Sequence, residues 1–532
     1  MKKNLKIYLF LFGIFICGYI VFLGSYPLLD PDETRYVTMA RDMFQTKDYL
    51  TLYLNGEYFF EKPPLFFWLE CLGFKFFGSI NEWTARLPIV LISLLPLWLL
   101  FAICKKVKNT RFAVITCCVL LTSLEYMILT KIAILDSIFT SLVVSACILY
   151  FYTFFVEQKN KKYFWILSYI FVGLSVLAKG IPGFIPLGII FISTIIFKTY
   201  KETLKYFLLS LILISAIVLP WHVLMLKMYP DLFFQEYIYK HHILRFLGSD
   251  VIHRNQPWYF YFLTLLWGLC PHTFIILPKL FQLKINKIKN YEFMQDNFSK
   301  FVTLNIIGAL FIFLFFTISK TKLITYILPI YPFLAVLIAM LWQKYINQND
   351  KIIKNSLIVL NSTFLLATLV AVFIPIILTP DLYQAFAPLD KGIIFIVFPF
   401  AIFTIKSILK NKTIKVFILQ NLFFAILIGF LTPLAFRFDY NLGEYDLIKF
   451  AQIAKQENKT ISAYMTGRKY SLLYYGDKKY IKFQTEENQD WLIKELNKKD
   501  NIVITKNKYT ENLPVQVINK GVKYSIVGGI DE

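Results

Sequence analysis

Acidic residues are scarce in this chain of 532 residues: 34 Asp and Glu stand against 56 Lys and Arg, so the net charge is +22 and charged residues are only 17% of the total. A soluble domain averages about 25% charged residues. A chain this poor in charge and 57% hydrophobic is not disordered, and it does not read as an ordinary soluble enzyme. Cysteine is scarce too. Most of the seven (Cys17, Cys71, Cys104, Cys117, Cys118, Cys147 and Cys270) lie inside apolar runs, and none has zinc-site spacing, which excludes a disulfide scaffold. Glycine and proline number 21 each, too few for a collagen-like fibre. There is no glycine-rich phosphate loop, so a nucleotide or other organic cofactor is not expected.

What the chain has is apolar length and phenylalanine, 54 in all. A membrane-crossing helix needs about 20 apolar residues. That rule gives roughly thirteen spans, near 7–27, 85–103, 111–129, 132–155, 163–178, 181–197, 206–224, 257–278, 301–318, 323–341, 355–379, 392–409 and 415–435. Lysines gather in alternate connections, among them Lys105-Lys106, Lys161-Lys162 and Lys410 with Lys412. That is the positive-inside pattern of a multi-pass membrane protein. It places the N-terminus in the cytoplasm and, after an odd number of crossings, the C-terminus on the opposite side. The basic residues lie between apolar runs rather than in one patch, so nucleic acid is not an expected partner. No small-x-small cleavage site follows Lys2, Lys3 and the first apolar run, which reads as an uncleaved span.

Three segments are not spans: the loops 28–82 and 225–256, and the tail 438–532. All fall on the non-cytoplasmic side. The expected architecture is an α-helical polytopic domain over 1–437 followed by a small α/β domain over 438–532. In the tail, 446–456 and 487–497 read as helices; 460–464, 501–505, 515–517 and 522–527 read as strands.

The candidate chemistry is concentrated in these loops. Asp30, Asp32 and Glu33 put three acids within four residues just beyond a span, followed by Arg35 and Tyr36. Carboxylates there can accept a proton, orient a cation or bind a metal; Asp32 and Glu33 also suit a helix start. Glu61-Lys62-Pro63 precedes an aromatic run, and Lys62 suits a phosphate at the bilayer surface or an interfacial anchor. Asp136 opens a span and is costly if it faces lipid, so it lines a polar cavity or pairs with Lys131 or Lys179. His242 and Arg245 share a face of a helix, where imidazole can ligate a metal and guanidinium can fork onto a phosphate. Lys320, Lys322 and Tyr326 join two spans; the lysines suit a phosphate or plain snorkelling. Together these groups point to an anionic amphiphile handled at one membrane face, such as a lipid-linked phosphosugar.

The ordered strings Pro31-Asp32-Glu33-Thr34-Arg35-Tyr36, Phe60-Glu61-Lys62-Pro63, His242-Ile243-Leu244-Arg245-Phe246 and Ser319-Lys320-Thr321-Lys322-Leu323-Ile324-Thr325-Tyr326 resemble the bacterial aminoarabinose transferase family. These are GT-C glycosyltransferases related to protein mannosyltransferases. The resemblance implies a donor of undecaprenyl phosphate carrying 4-amino-4-deoxy-L-arabinose or a similar sugar. It implies lipid A phosphate as acceptor, inversion at the sugar, and a link to polymyxin resistance. It makes Asp32 the essential carboxylate, with Glu33 and Asp136 as further catalytic candidates. Lys62 and Arg245 would hold the phosphate, with Arg35, Tyr36, Lys320, Lys322 and Tyr326 in the substrate site. Glu61 and His242 match residues that bind zinc. The expected form is a monomer among membrane lipids. Two departures from the pattern, Asp30 and the SKTKLITY form of the fourth motif, leave open another sugar, or a glycan or protein acceptor. The rival class is a lipid-linked sugar flippase; no inverted repeat supports it.

Overall fold

The computed structural model describes residues 22–244, 256–282, 296–377, 393–439, 443–511 and 515–528, with residues 13, 20 and 513. The chain is a polytopic helical membrane protein. The first expected span lies almost wholly outside the described residues; every later one has helix beneath it. Seven described helices are long and apolar enough to cross a membrane. Others depart from single rods for local reasons. The expected span 257–278 is two helices, Phe260–Gly268 and Thr273–Leu280, parted at Pro271. The span 111–129 breaks at Ser123, whose backbone is extended.

Burial sorts these helices by position. All but 6% of Leu135–Tyr152 is enclosed by protein (94% buried), whereas only 17% of the most apolar stretch of Tyr200–Met228 is. The first is therefore a central post. The second shows Leu204, Leu208 and Ile212 outward, as a helix facing lipid must. The central post begins at Leu135-Asp136, so a carboxylate sits at the head of the most protected helix.

The tail 445–528 carries one five-stranded sheet. With β1 (Tyr53–Leu54) and β2 (Glu57–Tyr58) forming a hairpin in the first loop, the tail strands are β3 (Thr460–Tyr464), β4 (Lys482–Gln484), β5 (Asn501–Lys506), β6 (Gln516–Lys520) and β7 (Tyr524–Gly528). Their order is β4-β3-β5-β7-β6; β3 is parallel to β4 and β5, and β7 is antiparallel to β5 and β6. Short β-branched and apolar runs, Thr460–Tyr464 and Asn501–Lys506, mark β3 and β5 in the sequence. Strand β4 is three residues long and half-buried, and the helix Ser471–Tyr475 is one turn, so neither carries a readable period.

Glu444, at the root of the tail, offers a pH test. Burial raises its carboxyl, but the ammonium groups of Lys469 (2.8 and 2.9 Å) and Lys523 (3.2 Å) outweigh that and hold it below its ordinary 4.5. A carboxyl lower in the folded than in the unfolded chain adds stability above about pH 4.5 that is lost as pH falls through its folded value. Hydrogen exchange of the tail strands β3 and β5 should show tail stability declining below that pH, and Glu444→Gln should flatten that dependence.

Candidate functional site

The three polar segments meet. From the first loop, Asp32 opens the helix Asp32–Thr46, where its charge complements the helix N-terminus. Arg35, one turn on, donates from Nη2 to Asp32 Oδ1 at 2.8 Å and to the Tyr36 hydroxyl at 3.1 Å. Its guanidinium also lies 4.8 Å from the Tyr36 ring centre and 5.9 Å from that of Phe59. The Asp32 side chain keeps 47% of its surface open, so the carboxylate is positioned yet reachable. Tyr36 is buried against Phe66 and Phe67. Burial pushes its hydroxyl up, Arg35 pulls it down, and Asp32, Asp136 and Glu61 raise it further. The three carboxylates thus all act on one phenol.

Asp136 pairs with Lys179, which ends the helix Gln158–Lys179. The Lys179 ammonium lies 4.2 Å from the centre of the Tyr326 ring and 4.7 Å from that of Phe139. An ion pair at the head of a protein-enclosed helix, roofed by an aromatic ring, is a poorly solvated charge site. Lys131, on the neighbouring turn, is buried, and burial draws its ammonium down to about 8.

Glu33 stands apart from its neighbour Asp32. It is fully buried, and Arg86 grips both its oxygens, Nε to Oε1 at 2.7 Å and Nη2 to Oε2 at 2.8 Å. Its oxygens also accept the N–H groups of Leu29 (2.9 Å) and Ala133 (2.7 Å). Arg86 further donates to the carbonyls of Leu23, Tyr26 (2.8 Å) and Pro27 (2.8 Å). Glu33, expected as a catalytic candidate, is built as a clamp with its acceptors committed. It ties the strand of chain before Asp32 to the one before Asp136.

Residues 61–223 match the model of the dolichyl-phosphate-mannose-protein mannosyltransferase family. An undecaprenyl phosphate-alpha-4-amino-4-deoxy-L-arabinose arabinosyl transferase of Proteus mirabilis is 29% identical over 339 residues, 62% of this chain and 58% of the relative. One from Wigglesworthia glossinidia is 30% identical over 363 residues, 66% and 62% of the two. The crystal structure of ArnT from Cupriavidus metallidurans bound to undecaprenyl phosphate superposes with a TM-score of 0.78, covering 98% of this chain and 97% of the other at 18% identity. In sequence the chain is similar to bacterial aminoarabinose transferases. It shares the fold of the Cupriavidus metallidurans structure over 98% of its length, while in sequence it spans about three fifths of the curated relatives it matches.

Set in this fold, the expected site residues divide. Asp32, Arg35, Tyr36, Glu61, Asp136 and Tyr326 come together, with Lys62 half-buried beside Glu61. Lys322 does not point to an open phosphate site: its buried ammonium donates to the carbonyls of Gln256 (3.1 Å) and Ser319 (2.6 Å). It fastens the end of the second loop to the fourth motif. Lys320 is exposed at the rim. Arg245 and the side chain of His242 lie outside the described residues. The imidazole that faces Glu61 is His241, with Nε2 3.9 Å from Glu61 Oε1 and 3.7 Å from Glu236 Oε2. Glu236 is already gripped by Lys240 at 2.8 and 3.0 Å. Among the described residues no three His, Cys, Asp or Glu gather to hold a metal. Among the described residues Glu61 and His241 give two donors, where zinc takes three or four protein ligands.

Sequence reasoning overlooked Arg86, Arg41 and the part played by Asp30. Asp30 accepts the backbone N–H of Ser471 at 3.1 Å and is bonded by Thr34, so it docks the tail onto the candidate site. Burial raises its carboxyl above the usual range, against those hydrogen bonds. Asn55 adds a second dock, exchanging two hydrogen bonds (2.9 and 2.7 Å) with the backbone of Ile481. The signal available was the density of acids at the mouth of the first loop; their partners were too distant in sequence to read.

Proposed function

We propose that this chain is a membrane glycosyltransferase that takes a sugar, 4-amino-4-deoxy-L-arabinose or a close analogue, from undecaprenyl phosphate and places it on a lipid A phosphate with inversion. The observation that carries this reading is the reachable carboxylate of Asp32, held by Arg35 in one charged cluster with Glu61 and the Asp136–Lys179 pair. The names of the relatives supply the donor, undecaprenyl phosphate carrying 4-amino-4-deoxy-L-arabinose, and the motif resemblance supplies lipid A. The lysine distribution supports a bacterial inner-membrane protein with its N-terminus in the cytoplasm and its tail in the periplasm. The proposed working form is a monomer.

In this mechanism the bond from the anomeric carbon to the carrier phosphate breaks, and the electron pair leaves with the phosphate. The acceptor oxygen bonds to the opposite face of the sugar. Lys62 and Arg245 neutralise the departing phosphate in a site where fixed cations count for more than in water. Asp32 stabilises the oxocarbenium-like carbon. A lipid A phosphate is already ionised and needs no base. The mannosyltransferase match over 61–223 favours a second reading, a hydroxyl acceptor on a glycan or protein. There Asp32 would also take the proton.

Purified protein with undecaprenyl-linked sugar and lipid A, read by mass spectrometry, tests both. A pentose gained by lipid A and lost about 100-fold or more in Asp32→Asn, with carrier binding intact, is the expected result. A hexose, or a gain only on a glycan or protein, supports the second reading. Movement of the donor across liposomes with no product would make the protein a flippase.

A further inference from the structure

We propose that the hairpin β1–β2 carries an aromatic platform on which a sugar ring of the acceptor stacks, an acceptor subsite centred on Tyr58. The inference rests on the transferase reading above. The hairpin turns at Asn55-Gly56, both with positive φ (55° and 81°), the backbone that an Asn-Gly pair adopts most readily. Tyr53 and Tyr58 are cross-strand partners with ring centres 5.2 Å apart. Tyr58 also stacks over Phe60 (5.8 Å, planes 7° apart) and meets Tyr229 at 4.9 Å. Phe60 is buried and packs edge-on against Phe233 at 5.5 Å.

A two-stranded hairpin is marginal alone. This one is fixed at its tip by the Asn55–Ile481 hydrogen bonds and at its base by Phe60. The outcome is an aromatic ring supported from beneath yet 48% exposed. Its support is continuous with the candidate site. Phe60 immediately precedes Glu61, and the cluster beneath it includes Leu177, two residues from Lys179. A pyranose ring presents an apolar C–H face whose positive edge suits the negative face of an aromatic ring. A rigid tyrosine loses little side-chain entropy on stacking. The commoner role of an exposed tyrosine in a membrane protein is interfacial anchoring. Here the turn is bonded to the tail, and Tyr480 of the tail packs beside Gly56, which points to the aqueous side.

The test is a kinetic split on the whole protein, with undecaprenyl-linked sugar as donor and lipid A as acceptor. Tyr58→Ala should raise the acceptor KM about 3- to 10-fold, with donor KM and kcat within twofold; Tyr58→Phe should behave as wild type. An unchanged acceptor KM, or Tyr58→Phe as impaired as Tyr58→Ala, overturns the proposal. If wild type transfers nothing to lipid A, the lipid A reading fails, and the platform is judged separately. Tyr58→Trp emission should then shift with a deacylated glucosamine disaccharide and stay still with undecaprenyl phosphate; no shift overturns it.

Discussion

Arg86→Met should leave the protein unable to hold its first loop. The Arg86 guanidinium is fully buried and makes two bonds to Glu33 and three to the carbonyls of Leu23, Tyr26 and Pro27. It also lies 3.9 Å from the centre of the Tyr26 ring. Removing one partner of a buried ion pair costs about 3–5 kcal/mol, because the other charge stays in low dielectric. Here Glu33 would keep only the N–H groups of Leu29 and Ala133. Arg86→Lys should rescue little, since a single ammonium cannot span two carboxylate oxygens and three carbonyls. Adding Glu33→Gln to Arg86→Met should recover part of the loss, because the uncompensated charge goes with it. Thermal melts of detergent-solubilised protein check the series. A melting temperature unchanged in Arg86→Met would refute the clamp.

The same residues show what was legible in the sequence. Spans are local: about 20 apolar residues identify themselves without knowledge of any partner. Acids at adjacent positions are another matter. Asp32 and Glu33 look equivalent as letters, but consecutive residues of a helix point about 100° apart. One therefore faces the open site while the other turns into the core, and only the position of Arg86, 53 residues on, tells which. The expected pairing of His242 with Arg245 lies outside the described residues; what the structure adds is His241, which faces Glu61 from the π-helix Phe234–Leu244, a turn whose phase a sequence does not show. By its charge Lys322 suits a phosphate or plain snorkelling, but the carbonyls that hold it belong to non-helical backbone at Gln256 and Ser319. The Asp136–Lys179 pair was among the readings open from the start, since charges inside apolar runs must find each other or a cavity.

Arg41→Ala should loosen the tail segment 471–478 against the candidate site without unfolding the membrane helices. Arg41 is buried on the helix that Asp32 opens, and its fork caps the end of Ser471–Tyr475. Nη1 donates to the carbonyls of Leu473 (3.1 Å) and Tyr474 (3.2 Å), and Nη2 to that of Lys478 (3.0 Å). A charged hydrogen bond contributes about 1.5–3 kcal/mol, so losing three, less the water that enters, costs several. The docks at Asp30–Ser471 and Asn55–Ile481 remain, and the tail keeps its own sheet. Hydrogen exchange should therefore quicken by about 100-fold or more in 471–478, consistent with roughly 3 kcal/mol, while β3 and β5 stay protected. Arg41→Lys should recover one carbonyl and part of the protection. Asp477→Asn is the control: that carboxylate lies 3.5 Å from Arg41 and is 45% exposed, so its loss should cost under about 1 kcal/mol. Because Arg41 and Asp32 ride on one helix, transfer should fall with the docking. Transfer unchanged in a variant whose tail exchanges freely would show that the tail does not position the Asp32 helix.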